Sequence, residues 1–448
     1  MPFFMTTTPE PIDLLIESRW IATVESNAVL KNHAVAIDKG HIKAILPASE
    51  ARPRYSPRTL HVLPDHILIP GLINLHTHAA MTLMRGMADD LPLMEWLQKH
   101  IWPTESAHLS PQFVYDGTRL ACAEMLKGGI TCFNDMYFFP DAAARAASEL
   151  GMRAMLGITT LEFPTPFASD ADDYIDKGLA VRERWHDDPL IGFCLAPHAP
   201  YTVTDSGFAR ILTLSEQLNL PIHCHINETR HEAEESRRQH GATPLARLKR
   251  LGLLGPGFIG VHAVHLNDDD LKLLALTGCS IAHCPTSNLK LASGISPVAQ
   301  MRQLGINVGL GTDGAASNNR LDMFGEMRLA ALLAKGSTGD ASALPARAAL
   351  RMATLDGATA LGLSDETGSI TPGKAADLVA ISLKGLNTMP CYDPVSHLVH
   401  AADRDCVTHV WVAGKCCVDH KTLAANGQND LESVLALWQN RLEVRGES

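Results

Sequence analysis

Short apolar runs rich in β-branched residues alternate along the middle of the chain with longer stretches of helical spacing. The runs fall at 67–75, 129–136, 153–159, 190–197, 220–226, 257–264, 279–284 and 306–312. Between them, 113–127, 141–150, 171–186, 205–218, 268–277 and 320–334 carry apolar residues at the helical period. Strands separated by helices predict a parallel sheet. Eight such units predict a (β/α)₈ barrel, an α/β fold of the TIM type with its sites at the C-terminal ends of the strands.

The two ends read differently. Residues 13–17, 20–24 and 34–37 are short strands, the last followed by Lys39-Gly40 as a hairpin turn. Strand texture returns at 373–381 and 407–415. This predicts a small β-sandwich formed from both termini, 1–66 and 371–448, around a barrel at 67–370.

Composition narrows the class. A chain of 448 residues, 46% hydrophobic and 19% charged, is an ordinary globular protein. Its formal net charge of -11 argues against a nucleic-acid surface, which needs clustered Lys and Arg. No apolar run approaches the ~20 residues of a membrane span. Met1-Pro2-Phe3-Phe4-Met5 has no basic region before an apolar core, so no signal peptide is expected. Ten cysteines are too sparse for a disulfide scaffold, and Cys416-Cys417 are expected as buried free thiols. These features predict a cytoplasmic protein, and a homo-oligomer, dimer or tetramer, is the default for its class.

The candidate chemistry sits at the strand ends. In an extended strand His76 and His78 share one face. Both protonated, they would repel; neutral, they could share a divalent metal, the alternative being a His-rich turn. Strand five carries His223 and His225 with Glu228 just beyond, strand six carries His262, and strand eight ends at Asp313. Histidine and aspartate converging on one barrel mouth form a ligand set for a catalytic zinc that keeps an open position.

With these motifs, from 70–78 (Pro-Gly-Leu-Ile-Asn-Leu-His-Thr-His) to 373–378 (Gly-Lys-Ala-Ala-Asp-Leu), the chain resembles the amidohydrolase superfamily. It is most similar to the methylthioadenosine/S-adenosylhomocysteine deaminases and related nucleoside and triazine deaminases. The resemblance implies His76, His78, His225 and Asp313 as ligands of one divalent metal, zinc, or else iron or manganese. His225 stands three residues before the glutamate, as the family ligand does, and His223 competes for the role. Strand four, within 193–202, offers no lysine to be carbamylated between two metals, which favours a single ion.

The resemblance further implies Glu228 as general acid/base, with His262 and Asp313 taking the proton of the attacking water. Glu105 would bind ribose hydroxyls, and His198, in Pro-His-Ala-Pro-Tyr, would contact substrate beside Glu228 and Asp313. The implied reaction converts 5′-methylthioadenosine to 5′-methylthioinosine and ammonia, with adenosine and S-adenosylhomocysteine as further substrates. The alternative is deamination or dechlorination of another amino-heterocycle, guanine or a triazine; a barrel that binds without catalysis is a more distant reading. Arg153 could match an arginine placed for the amino-acid carboxylate of S-adenosylhomocysteine. The stretch 159–167 adds Phe and Pro but no arginine, which favours an apolar 5′ substituent. Trp96 and Trp102 are pocket-lining or core residues, and Met81, Met84 and Met87 read as one packed helix face in preference to a methylthio pocket.

Overall fold

The computed structural model describes residues 8–424 and 428–443; Met1–Met5 lie outside them. All eight expected inner strands are present, Leu72–Thr77, Ile130–Asp135, Arg153–Thr160, Ile191–Pro197, Ile222–Ile226, Phe258–His262, Ser280–His283 and Asn307–Leu310. Each neighbours the next in one eight-stranded sheet, and the registered pairs are parallel. The helices between them begin where the sequence supplies caps. Ser110 accepts from Phe113 N at 3.2 Å to start Pro111–Lys127, and Asn267 with Asp270 forms a capping box on Asp268–Thr277.

The ring is drawn shut between strands eight and one by a buried side chain. Asn74 Oδ1 accepts from Thr312 N at 2.9 Å, and its Nδ2 donates to Thr312 Oγ1 at 2.8 Å. Asp313 N donates to His76 O at 3.0 Å beside them. A side chain at Gly311 would place its Cβ 2.8 Å from His76 N, so only glycine permits this approach.

The run expected as one strand over 67–75 is two. Ile67–Pro70 ends a 16-residue strand, Tyr55–Pro70, that pairs with Glu10–Ala22 and Leu378–Ser382 in the second sheet. The chain then passes through Gly71 into the barrel, where a Cβ would sit 1.9 Å from Thr131 Oγ1. Both strands are buried, so hydrophobicity runs unbroken across the handover. The second sheet is one continuous set of eight strands. Its C-terminal half, from Thr422–Leu423 to Leu378–Ser382, joins the N-terminal half at Tyr55–Pro70. Leu14, Ile16, Val35 and Ile37 pack with Trp411 in one core of this sheet, and Ile12, Leu15 and Tyr55 pack in another. The C-terminal helix Gln428–Glu443 returns to the barrel, where Trp438 Nε1 donates to Asp116 Oδ2 at 2.8 Å. No helix of the described residues is long and apolar enough to cross a membrane. The ten cysteines are free thiols, Cys417 buried and Cys416 half-buried.

Arg153 requires a correction. It opens strand three, at the barrel end opposite the site, and is 4% exposed. Its Nε donates to Asp377 Oδ2 at 3.1 Å and its Nη1 to Glu366 Oε1 at 2.6 Å. It therefore ties the barrel floor to the segment entering Leu378–Ser382 and is turned away from substrate. Asp377 also accepts from Thr367 Oγ1 and Ala413 N, so the carboxylate cannot leave its buried position. Arg153→Met is expected to lower the unfolding free energy by about 3–5 kcal/mol, the range for stranding one partner of a buried pair. Denaturant titration measures this loss, and KM should stay unchanged.

Candidate active site

Four side chains from three strand ends converge at the barrel mouth. His76 Nε2 lies 3.2 Å from His225 Nε2 and 3.4 Å from Asp313 Oδ1, and His78 Nε2 lies 3.2 Å from the same oxygen. These separations match the roughly 3.3–3.4 Å edge of a tetrahedron with metal bonds of about 2.0–2.1 Å. The second nitrogen of each ring is already occupied. His78 Nδ1 faces Met136 O at 2.6 Å and His225 Nδ1 faces His198 O at 2.7 Å. A carbonyl only accepts, so both rings carry their proton on Nδ1 and direct an Nε2 lone pair inward. His76 Nδ1 faces His223 Nε2 at 3.0 Å, which gives His76 the same orientation when it donates. His225 thus reaches the cluster, whereas His223 stands behind His76. Three inward lone pairs and a buried carboxylate form a donor set suited to one divalent ion.

Asp313 is anchored on both oxygens. Oδ1 accepts from Gly314 N at 2.7 Å and Oδ2 from Ser287 Oγ at 2.6 Å. Burial works to raise its pKa, and only protons carried toward Oδ1 by the His76 and His78 rings, the place a bound cation would take, hold it well below the usual carboxylate range. His262 Nδ1 meets Asn288 Oδ1 at 2.8 Å, leaving Nε2 toward Glu228 Oε2 at 3.9 Å. Glu228 is 7% exposed, and burial raises its pKa. Its backbone is held from behind, because Glu232 accepts from Asn227 N at 3.0 Å and Glu228 N at 2.8 Å. Asn227, His262 and Asp313 all have φ between 50° and 70°. Non-glycine residues in that region carry of order 1–3 kcal/mol of strain, and here the strain turns three strand ends toward one point.

A cavity of about 340 Å³ opens above the cluster, with His198, Glu228, His262 and Glu105 in its lining. Glu105 accepts from Tyr137 Oη at 2.7 Å. Desolvation raises Glu105 to about 7, against the lowering effect of that hydroxyl. His198 is pushed down to about 3 by burial and the neighbouring imidazoles, so it is neutral. Its Nδ1 meets Thr202 Oγ1 at 3.2 Å. Trp96 and Trp102 both line the cavity, and so does Met81, while Met84 is buried in the core. Met81 and Met84 belong to one buried core with Met87 packed against it, so the three methionines pack together as expected, and Met81 also reaches the cavity wall.

Sequence reasoning brought together every residue of the cluster but missed its supports, Tyr137, Asn288, Ser287 and Glu232. Ser287 and Asn288 lie on the short helix Pro285–Lys290 that follows strand seven, a position at the barrel mouth that is their only signal. A residue that orients another has no spacing of its own.

The sequence model of the Amidohydrolase family matches residues 67–417. A 5-methylthioadenosine/S-adenosylhomocysteine deaminase of Saccharophagus degradans is 46% identical over 443 residues, 99% of each chain. The crystal structure of an adenosine deaminase from Xanthomonas campestris with bound zinc is 48% identical and superposes with a TM-score of 0.96, covering 98% of this chain and 100% of that one. Atrazine chlorohydrolase from Arthrobacter aurescens, complexed with zinc, is 25% identical with a TM-score of 0.88 over 96% of this chain and 100% of its own.

Ligand and support should separate on mutation. His225→Ala is expected to remove the barrel-mouth divalent ion, lowering by one the ions counted per chain by plasma mass spectrometry. His223→Ala should keep it with affinity weakened about 10–100-fold, the effect of losing an outer partner. Equal loss in both variants would make His223 a ligand.

Proposed function

The chain belongs to the amidohydrolase family, and from the site it builds we propose that it hydrolytically deaminates an adenine nucleoside with an apolar 5′ substituent, foremost 5′-methylthioadenosine. One observation carries this reading: a single cavity joins the metal-ligand cluster and Glu228 to Glu105, and the rest of its wall is largely apolar. The deaminase names of full-length relatives support it. Glu105 suits two vicinal ribose hydroxyls, since an ionised carboxylate accepts from both. Guanine and triazines offer no such pair. Trp96, Trp102, Leu109 and Phe163 suit a methylthio group, and no lysine or arginine lines the cavity among the described residues to meet a zwitterionic tail.

His76, His78, His225 and Asp313 would hold one divalent metal, zinc by the example of the solved relatives. Bound there, such an ion acts as a Lewis acid and lowers the pKa of water from 15.7 toward ~7. The protein groups account for the remaining chemistry. Glu228, whose neutral form burial favours, donates a proton to the ring nitrogen beside the amino-bearing carbon, so that addition of water there leaves no negative charge on the ring. His262 Nε2, its other nitrogen committed to Asn288, accepts from the water together with Asp313. Collapse of the tetrahedral carbon expels ammonia. His198 presents Nε2 to the bound ring, its Nδ1 being held by Thr202.

Glu228→Gln should retain the metal while turnover falls about 10²–10⁴-fold, the usual contribution of general acid/base catalysis. Metal analysis beside an ammonia-release assay separates the two effects, and undiminished turnover would remove Glu228 from its role. Methylthioadenosine should be deaminated with higher kcat/KM than S-adenosylhomocysteine, guanine or melamine; the reverse order would overturn the substrate assignment. Glu105 is neutral below about 7 and charged above it. KM for the nucleoside should therefore rise as pH falls through that value, and Glu105→Gln should abolish this dependence.

A further inference from the structure

We propose that the terminal β-sheet carries a second divalent transition-metal site, built from His61, His409 and Asp419 and separate from the barrel mouth. One ligand atom from each of these residues lies within 4.8 Å of the others. His61 belongs to the N-terminal strand Tyr55–Pro70, His409 to Val407–Val412, and Asp419 closes Lys415–Asp419. An ion here would staple strands from the two halves of the sheet.

Hydrogen bonding around His409 fixes its tautomer. Thr408 Oγ1 donates its one proton to Ala380 O at 3.2 Å and stands 2.8 Å from His409 Nδ1. With that proton spent, the hydroxyl accepts from Nδ1–H, which leaves a lone pair on Nε2. The ring is 1% exposed, and burial disfavours a second proton. Nε2 lies 3.3 Å from Asp419 Oδ1, yet among the described residues it has no hydrogen-bond partner. Two acceptors thus face each other without a proton between them. Ligands of a common ion do this, since both point at the ion; 3.3 Å is about the tetrahedral edge computed from zinc bond lengths.

The surroundings hold the imidazoles in place and add a fourth donor. Trp411 stacks on His409 with ring planes 5° apart, and His61 meets both rings edge-on, 5.2 Å from His409 and 5.3 Å from Trp411. His420, exposed in the following turn, places Nε2 3.9 Å from Asp419 Oδ1 and its ring 4.6 Å from His409. Imidazole with one carboxylate suits zinc, nickel, copper or cobalt over magnesium or calcium.

Zinc counted per chain tests the site. Tag-free protein is equilibrated with Zn²⁺, desalted and analysed by plasma mass spectrometry, with two ions per chain expected. Asp419→Asn, at the exposed end of its strand, and His409→Gln should each bind one ion, and Asp419→Asn should keep full deaminase turnover. Asp313→Ala should retain the sheet ion; loaded with Co²⁺, it should show tetrahedral visible bands that His61→Ala in the same background removes. One zinc in the wild type, or two in both Asp419→Asn and His409→Gln, would overturn the proposal.

Discussion

The seam between the last barrel strand and the first sets the geometry of the mouth. Asn74 grips Thr312 through its whole amide, and Asp313 N bonds to His76 O. Residues 76 and 313 are thereby brought side by side from far apart in the chain. Nothing local holds Asp313 within 3.2–3.4 Å of His76 and His78. Gly311 lets the two backbones approach, since any side chain there would strike His76. Closing the ring and assembling the ligand set are one event, linking stability to chemistry.

Around that seam, each reactive group is oriented by a partner that does not react. Met136 and His198 carbonyls, Asn288, Ser287 and Glu232 decide which nitrogen carries a proton and which oxygen faces inward. Fixing the donors in advance reduces the reorganisation needed when charge develops on the substrate. The positive-φ strand ends are strained for the same end. The same device recurs at the terminal sheet, where Thr408 sets the tautomer of His409.

Burial divides the remaining charges by role. Arg153 with Asp377 and Glu366 is a tether at the barrel floor, its charge answered within the protein. Glu105 and Glu228 line the cavity with desolvation raising both, so each is poised for exchange with a bound molecule. A charged residue named from motif alone cannot be sorted between these roles. By resemblance Arg153 could match a substrate-facing arginine, and the barrel end it occupies turns it away from the site.

The sequence by itself determined the eight inner strands, the alternation that makes them parallel, and the order of His76, His78, His225, Glu228, His262 and Asp313 along their ends. It could do so because strand period, helix period and the placement of polar residues after apolar runs are local properties. Only the tertiary structure decided where the first barrel strand begins, since burial on both sides of Gly71 erases the hydrophobic boundary. It likewise decided that His225 faces the cluster while His223 supports His76, although both lie on one face of one strand. That choice depends on which neighbouring strand each ring meets, and strand neighbours across a barrel are set by closure, not by spacing along the chain.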